Sequence, residues 1–234
     1  MMKIKKTVGK IISVTDLSKT AKEVKISLAE PIDFIAGSFV NIFMEIGGQK
    51  VRRAFSISST PKDQMNITLA IRLNPKGGMT PIFWNKDMVG ETIEIMGPLG
   101  LNTVDKMQRN KVYLFAFGVG AGVVKSIAEY YSNKPDITNL TIVTGSKYED
   151  EILYKEYFDK LSRDRKNITT MHIVSRPENR SIVPKGYIQD HISTFDFSHS
   201  DIYLCGQESA CNDLVEKIKL TNPTDLSFFI EGFH

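Results

Sequence analysis

The chain has 234 residues, 41% hydrophobic and 24% charged, the proportions of an ordinary globular protein with room for one large domain or two modest ones. A net charge of +3 is too mild for a nucleic-acid binder, which concentrates basic residues on one face, and agrees in sign with an acidic protein partner. The two cysteines, Cys205 and Cys211, cannot ligate an iron–sulfur cluster or a structural zinc and are too few for a disulfide framework.

The basic start Met1-Met2-Lys3-Ile4-Lys5-Lys6 leads into no apolar core of a signal peptide. The longest nearly apolar run, residues 112–124, is too short and too glycine-rich to span a bilayer. His172, His191, His199 and His234 lack metal-ligand spacing. The expectation is a cytoplasmic protein with no membrane span, no metal centre and no nucleic-acid partner.

Up to about residue 100 the chain is written in strands. Residues 8–14, 23–28, 39–46, 53–58, 66–72 and 92–96 are rich in β-branched and aromatic residues. Turn signals separate them: Ala36-Gly37-Ser38, Gly47-Gly48-Gln49, Pro61-Lys62-Asp63, Asn74-Pro75-Lys76-Gly77-Gly78 and Gly97-Pro98. Six closely spaced strands predict a small antiparallel β-barrel. A helix over 81–88 interrupts it, with Thr80 as cap and Pro81 in the first helical position.

From residue 111 strands and helices alternate. Apolar strands are expected at 112–117, 140–144, 170–174, 201–204 and 227–230, and helices at 123–131, 152–161, around 187–191 and at 210–220. That order predicts a Rossmann-like α/β domain with a parallel sheet covered by helices on both faces. The polar stretch 105–110 is the natural junction. It gives an α+β two-domain chain with a barrel over 1–106 and an α/β domain over 107–234.

Several segments carry residue types suited to phosphates and flat rings. In Arg52-Arg53-Ala54-Phe55-Ser56-Ile57-Ser58-Ser59, alternation puts Arg53, Phe55 and Ile57 on one face and Ala54, Ser56 and Ser58 on the other. A guanidinium suits a pyrophosphate, an aromatic face a flat ring, and a hydroxyl a ring nitrogen. An edge strand with one snorkelling arginine also fits. Gly77-Gly78-Met79-Thr80 offers backbone N–H groups and a hydroxyl to a diphosphate, or is a plain loop with a capping threonine.

Gly118-Val119-Gly120-Ala121-Gly122 sits where a strand hands over to a helix. Small residues there admit a phosphate, or allow close strand–helix packing. Cys205-Gly206-Gln207 ends a strand at the carboxyl edge of the sheet, where open α/β sheets bind ligands, although a lone cysteine is ordinarily a buried thiol. Ser175, Arg176, Lys185 and Tyr187 could surround one phosphate or form a solvated basic loop. The apolar end Phe228-Phe229-Ile230-Glu231-Gly232-Phe233 needs a cover for Phe233, or is a last sheet strand with one core phenylalanine.

Taken in order, these segments resemble the ferredoxin–NADP reductase superfamily across nearly the whole chain. Arg53, Phe55, Ser56 and the downstream Ser59 are similar to its Arg-x-aromatic-Ser flavin motif, and Ala36-Gly37-Ser38-Phe39-Val40 to the strand entry before it. Ala70-Ile71-Arg72 and Gly77-Gly78-Met79-Thr80 resemble its later flavin-phosphate segments, and Gly97-Pro98-Leu99-Gly100 the turn closing the barrel. Cys205-Gly206 resembles the pair beside the nicotinamide, and Glu231-Gly232-Phe233 the plant-type ending.

The resemblance implies FAD on the barrel, with Arg53 on the pyrophosphate, Phe55 against the flavin and Ser56 near its N5. It implies a nicotinamide dinucleotide on the second domain, its pyrophosphate at Gly118-Val119-Gly120-Ala121-Gly122 and its reacting ring at Cys205. Ser56 and Glu231 would relay a proton, and Phe233 would cover the flavin. Ser175, Arg176, Lys185 and Tyr187 resemble a 2′-phosphate set and point to NADP(H), with NAD(H) as the other choice. Ala121, Val123, Gln207 and Phe55 depart from the commoner family residues at their positions. The implied activity is hydride transfer between NAD(P)H and FAD, with electrons passed to a small acidic carrier, ferredoxin or flavodoxin. A free-flavin reductase and an electron-transfer subunit of a larger oxidoreductase are the alternatives.

Overall fold

The computed structural model describes residues 3–178 and 181–233; His234 lies outside them. The chain divides into two compact units, Met1–Val104 and Asp105–His234. Among the described residues no helix is long and apolar enough to cross a membrane.

The first unit is a six-stranded antiparallel sheet made of β1 (Lys5–Ser18), β2 (Ala21–Leu28), β3 (Phe39–Ile46), β4 (Gln49–Ser56), β5 (Asn66–Arg72) and β6 (Thr92–Leu99), in the order β4-β3-β6-β1-β2-β5. It curls into a barrel: just past β4, Ile57 bridges Leu69, and the Ser58 N–H donates to the Thr68 carbonyl at 2.8 Å. β1 is longer than expected because it serves two neighbours, β2 and β6, and irregularities at Ile11/Ser13 and Asp16/Ser18 bend it. β4 starts at Gln49 because Gly47 and Gly48, both at positive φ, close a two-residue hairpin onto β3. Alternation sends Ile11, Val24, Ile26, Ile42, Ile67, Leu69 and Ile95 inward, each at most 1% exposed. Each such side chain contributes about 1.5–3 kcal/mol through burial.

The helix expected over 81–88 is shorter. α1 spans Ile82–Asn85, with Pro81 at its cap position. Thr80 does not cap it. Its hydroxyl accepts the Asn74 N–H at 2.9 Å, because the Asn74–Thr80 loop closes on itself.

The second unit holds β7 (Lys111–Phe117), α2 (Ala121–Ser132), β8 (Asn139–Ser146), α3 (Lys155–Asp164), β9 (Ile168–Val174), β10 (Asp201–Gln207), α4 (Glu208–Leu220) and β11 (Ser227–Phe233). The sheet order is β11-β10-β7-β8-β9, and every neighbouring pair is parallel. The chain therefore runs outward from β7 to β9, then returns to the other side of β7 to lay down β10 and β11. β7 and β10 flank the point where the strand order reverses, the usual ligand crevice of an open parallel sheet.

Two expected helices are modified. The one around 187–191 is a single 3-10 turn, Ile188–Asp190, in which Asp190 Oδ2 accepts the Tyr187 N–H at 2.8 Å. α3 begins only at Lys155, because Glu149–Glu151 forms a 3-10 turn and Tyr154 turns left-handed at φ 56°. β11 runs on to Phe233 because it pairs with β10 along its whole length.

Candidate functional site

On the first unit, β4 presents Arg53 and Ala54 to solvent and holds Phe55 and Ser56 half-buried. Phe55 packs on the barrel core. The Arg53 guanidinium folds back onto the Arg52 carbonyl at 2.8 Å. Of the residues on β5, Ala70 and Ile71 are buried and only Arg72 is exposed. In the following loop the Gly77 N–H donates to the Asn74 carbonyl at 2.8 Å, while the N–H groups of Gly78 and Met79 meet no acceptor among the described residues. Gly78 stands in the open: an added Cβ would find only Ile46 Cδ1, at 4.0 Å. The Met79 side chain is in the core. Exposed guanidinium groups, two free backbone donors and a half-buried aromatic suit a diphosphate joined to a flat ring.

On the second unit, the glycine-rich turn lies at the switch point. Gly118 takes φ +55°. Gly120 packs so closely on the end of β10 that a Cβ there would overlap the Cys205 carbonyl, and a Cβ on Gly206, at φ +147°, would come within 2.5 Å of Phe117 Cβ. Gly118 and Val119 remain half-exposed. α2 starts at Ala121, two residues before the expected helix, so Ala121 and Gly122 are buried in its first turn rather than in the loop. These glycines let two strand ends and a helix start meet, which brings the α2 N-terminus to the carboxyl edge.

The register of β10 on β11 collects one face. Tyr203 stands opposite Phe229, Cys205 opposite Glu231, and Gln207 opposite Phe233. Ile202, Leu204, Phe228 and Ile230 belong to the apolar cluster with α4, so Tyr203, Cys205, Phe229, Glu231 and Phe233 share the opposite face. Tyr203 and Cys205 are fully buried, while Glu231 and Phe233 are half-buried. The Tyr203 hydroxyl donates to Glu231 Oε2 at 2.6 Å. Burial, then the Glu231 charge, pushes the Tyr203 phenol well above its usual range, and the same two causes raise the Cys205 thiol. Cys205 is therefore a protonated thiol near neutral pH, which favours a contact role over a nucleophilic one. Sequence reasoning missed Tyr203. Its place two residues before Cys205 was the available signal, since a buried phenol requires an acceptor.

Of the four expected phosphate residues, Ser175 and Arg176 follow the carboxyl end of β9, Lys185 is bridged back to it, and Tyr187 comes two residues later. The Arg176 N–H donates to the Lys147 carbonyl at 2.8 Å, and Lys185 pairs with Val174, which sets Lys185 beside the end of the strand. Ser175 is half-buried, while Arg176, Lys185 and Tyr187 are exposed. Gln189, also missed, is 9% exposed; its Nε2 donates to the Ala210 carbonyl at 3.3 Å and its Oε1 has no partner among the described residues.

Residues 8–103 match the family described as oxidoreductase FAD-binding domain, and residues 114–215 the oxidoreductase NAD-binding domain. The phenol 2-monooxygenase reductase component DmpP of Pseudomonas sp. (strain CF600) is 26% identical over 97% of this chain and 65% of that protein. The chain thus spans about two thirds of that relative's length. Ferredoxin–NADP reductase B of Sorangium cellulosum (strain So ce56) is 26% identical over 79% of this chain and 76% of that protein. Among solved structures, a ferredoxin NADP+ reductase from Neisseria gonorrhoeae with bound FAD and NADP superposes with a TM-score of 0.81 at 16% identity, covering 100% of both chains. With a barrel matching the oxidoreductase FAD-binding domain and a parallel-sheet unit matching the oxidoreductase NAD-binding domain, the chain belongs to the ferredoxin–NADP reductase superfamily.

Proposed function

We propose that this reductase passes electrons from NAD(P)H, by way of bound FAD, to a small acidic carrier protein of the ferredoxin or flavodoxin type. The observation that carries this reading is the pairing of an FAD-binding domain, matched over residues 8–103, with an NAD-binding domain, matched over residues 114–215. Bound FAD supplies the redox chemistry, accepting a hydride from the nicotinamide and releasing electrons singly or in pairs.

In this reading the chain's own residues bind and orient. Arg53 and the N–H groups of Gly78 and Met79 hold the FAD pyrophosphate, with Ala54, Ala70, Ile71, Arg72, Gly77 and Thr80 shaping the surround. Phe55 lies against the flavin and Ser56 hydrogen-bonds its ring edge. Gly118, Val119, Gly120, Ala121 and Gly122 bring the α2 N-terminus to the nicotinamide dinucleotide phosphates. Cys205 sits under the nicotinamide with Gly206 and Gln207 beside it, and is reached only after the residues over it move aside. Glu231 carries a proton, and Phe233 covers a ring face. Ser175, Arg176 and Lys185 bind the 2′-phosphate of NADP(H) and Tyr187 its adenine.

The test is the visible spectrum of the purified protein, titrated anaerobically with NADPH and then NADH. Flavin absorption that survives gel filtration and is bleached by NADPH supports the reading. A colourless protein that takes up no FAD overturns it. A second reading, a reductase component of a larger oxygenase, is favoured by the relatives named phenol 2-monooxygenase reductase component and toluate 1,2-dioxygenase electron transfer component. Copurification of a stoichiometric partner protein would select it.

A further inference from the structure

We propose that Tyr203 is a positioning residue for Glu231, its buried phenol donating to Oε2 and holding the carboxylate over the β10–β11 ladder beside Cys205. The inference rests on the reading above, in which Glu231 carries a proton.

Three observations support it. Tyr203 is fully buried, and a phenol withdrawn from water needs an acceptor. Glu231 accepts at 2.6 Å, the short distance of a charge-assisted bond. Finally, Glu231 stands opposite Cys205 in the register yet reaches back two residues along the ladder to Tyr203. The phenol thus fixes one carboxylate oxygen of a half-buried side chain against the ladder. The titratable groups around this pair are Cys205 on β10, Cys211 on α4, and Glu208 at the start of α4, whose side chain lies against Gly232.

The decisive measurement needs no activity. In carbon-13 glutamate-labelled protein, the Glu231 carboxyl resonance is assigned by its loss in Glu231→Gln and titrated in the wild type and in Tyr203→Phe. The phenol donates to the charged form, so its removal is expected to move the midpoint up by about one pH unit. An unmoved midpoint overturns the proposal.

Should Tyr203→Phe fail to fold, the half-exposed side supplies the test. In Glu231→Ala the carbon-13 Cζ resonance of Tyr203 is expected to shift on loss of its acceptor, and an unchanged resonance overturns the proposal. In the loaded enzyme, the limb of the flavin-reduction pH profile that disappears in Glu231→Gln should move to higher pH in Tyr203→Phe, with kcat changing more than KM. A limb that stays in place also overturns the positioning role. If the wild type reduces no flavin at any pH, the functional reading falls, and the carboxyl titration still decides for or against the positioning.

Discussion

Gly120 and Cys205 meet backbone to backbone, so tightly that the side-chain carbon of an alanine at 120 would overlap the Cys205 carbonyl. The start of α2 is thereby locked onto the end of β10 at the switch point of the sheet. Gly120→Ala must push the two apart, and the overpacking is expected to cost about 1–3 kcal/mol. Gly78→Ala is the control, because its added carbon meets nothing closer than 4.0 Å. Urea denaturation of both variants checks this: equal midpoints for the two would show that the close approach has no energetic weight.

Asp201 anchors the start of the second unit. It is fully buried, and its Oδ2 accepts the N–H groups of Gln108 and Arg109 at 2.5 and 2.7 Å, while Oδ1 accepts Arg109 Nη1 at 2.7 Å. Arg109 also donates to Ser227 Oγ at 2.9 Å and to Asp225. Asp201→Ala leaves two N–H groups and part of a guanidinium without their acceptor. The expected loss is about 3 kcal/mol, typical of breaking one side of a buried pair. Hydrogen exchange at Gln108 and Arg109 should rise with it.

Much of this architecture was legible because alternation and strand–helix order are written locally. Phe39–Ile46 and Asn66–Arg72 run where their patterns put them. The failures are nonlocal. Thr80 reads as a helix cap until Asn74 takes its hydroxyl, and nothing local ties Glu231 to Tyr203 before the parallel register of β11 on β10 brings them together. At Gly120 the sequence allows either a phosphate or close packing, and the nonlocal Cys205 carbonyl is the contact that demands a glycine there. At the site, the residue types were visible, while the partners that orient them come from strands far apart in sequence.

His172 gives the fold a pH dependence. Thr144 Oγ1 lies 2.7 Å from its Nδ1 and Asp159 Oδ1 lies 3.0 Å from its Nε2, an arrangement that fits a neutral ring donating to Asp159. Burial outweighs the carboxylate and holds the imidazole below its usual range. Burial also opposes ionisation of Asp159, but hydrogen bonds from Lys155 and His172 outweigh it and hold that carboxyl below the ordinary aspartate range. The unfolded chain therefore binds more protons than the folded one in both windows. Stability is fully present above the free-histidine value near 6.5 and declines as pH falls through it, with a second decline below the free-aspartate value of 3.8. Urea midpoints between pH 8 and 5 should fall in the wild type and change less in His172→Gln.

The NADP(H) assignment depends on the exposed Arg176, held at the carboxyl end of β9 by its backbone bond to Lys147. If Arg176 holds the 2′-phosphate as proposed, Arg176→Ala removes a charge-assisted partner of it. The KM for NADPH is expected to rise about tenfold or more, with that for NADH nearly unchanged. Steady-state rates with both cofactors test it. A wild-type preference for NADH that survives the substitution ends the assignment.

Arg52 and Arg53 are adjacent and both exposed on β4, but successive strand residues point to opposite faces, and only Arg53 shares a face with Phe55. If that face receives the FAD, the two arginines must differ in effect. Arg53→Ala removes a charge-assisted contact to the pyrophosphate, about 1.5–3 kcal/mol, and should weaken FAD retention about 10- to 100-fold. Arg52→Ala, one residue earlier, should leave retention near wild type. Reconstitution of stripped protein with FAD, followed by flavin fluorescence, measures both. Equal losses would mean that general positive charge holds the cofactor, whereas a loss confined to Arg53 ties binding to the Phe55 face of the strand.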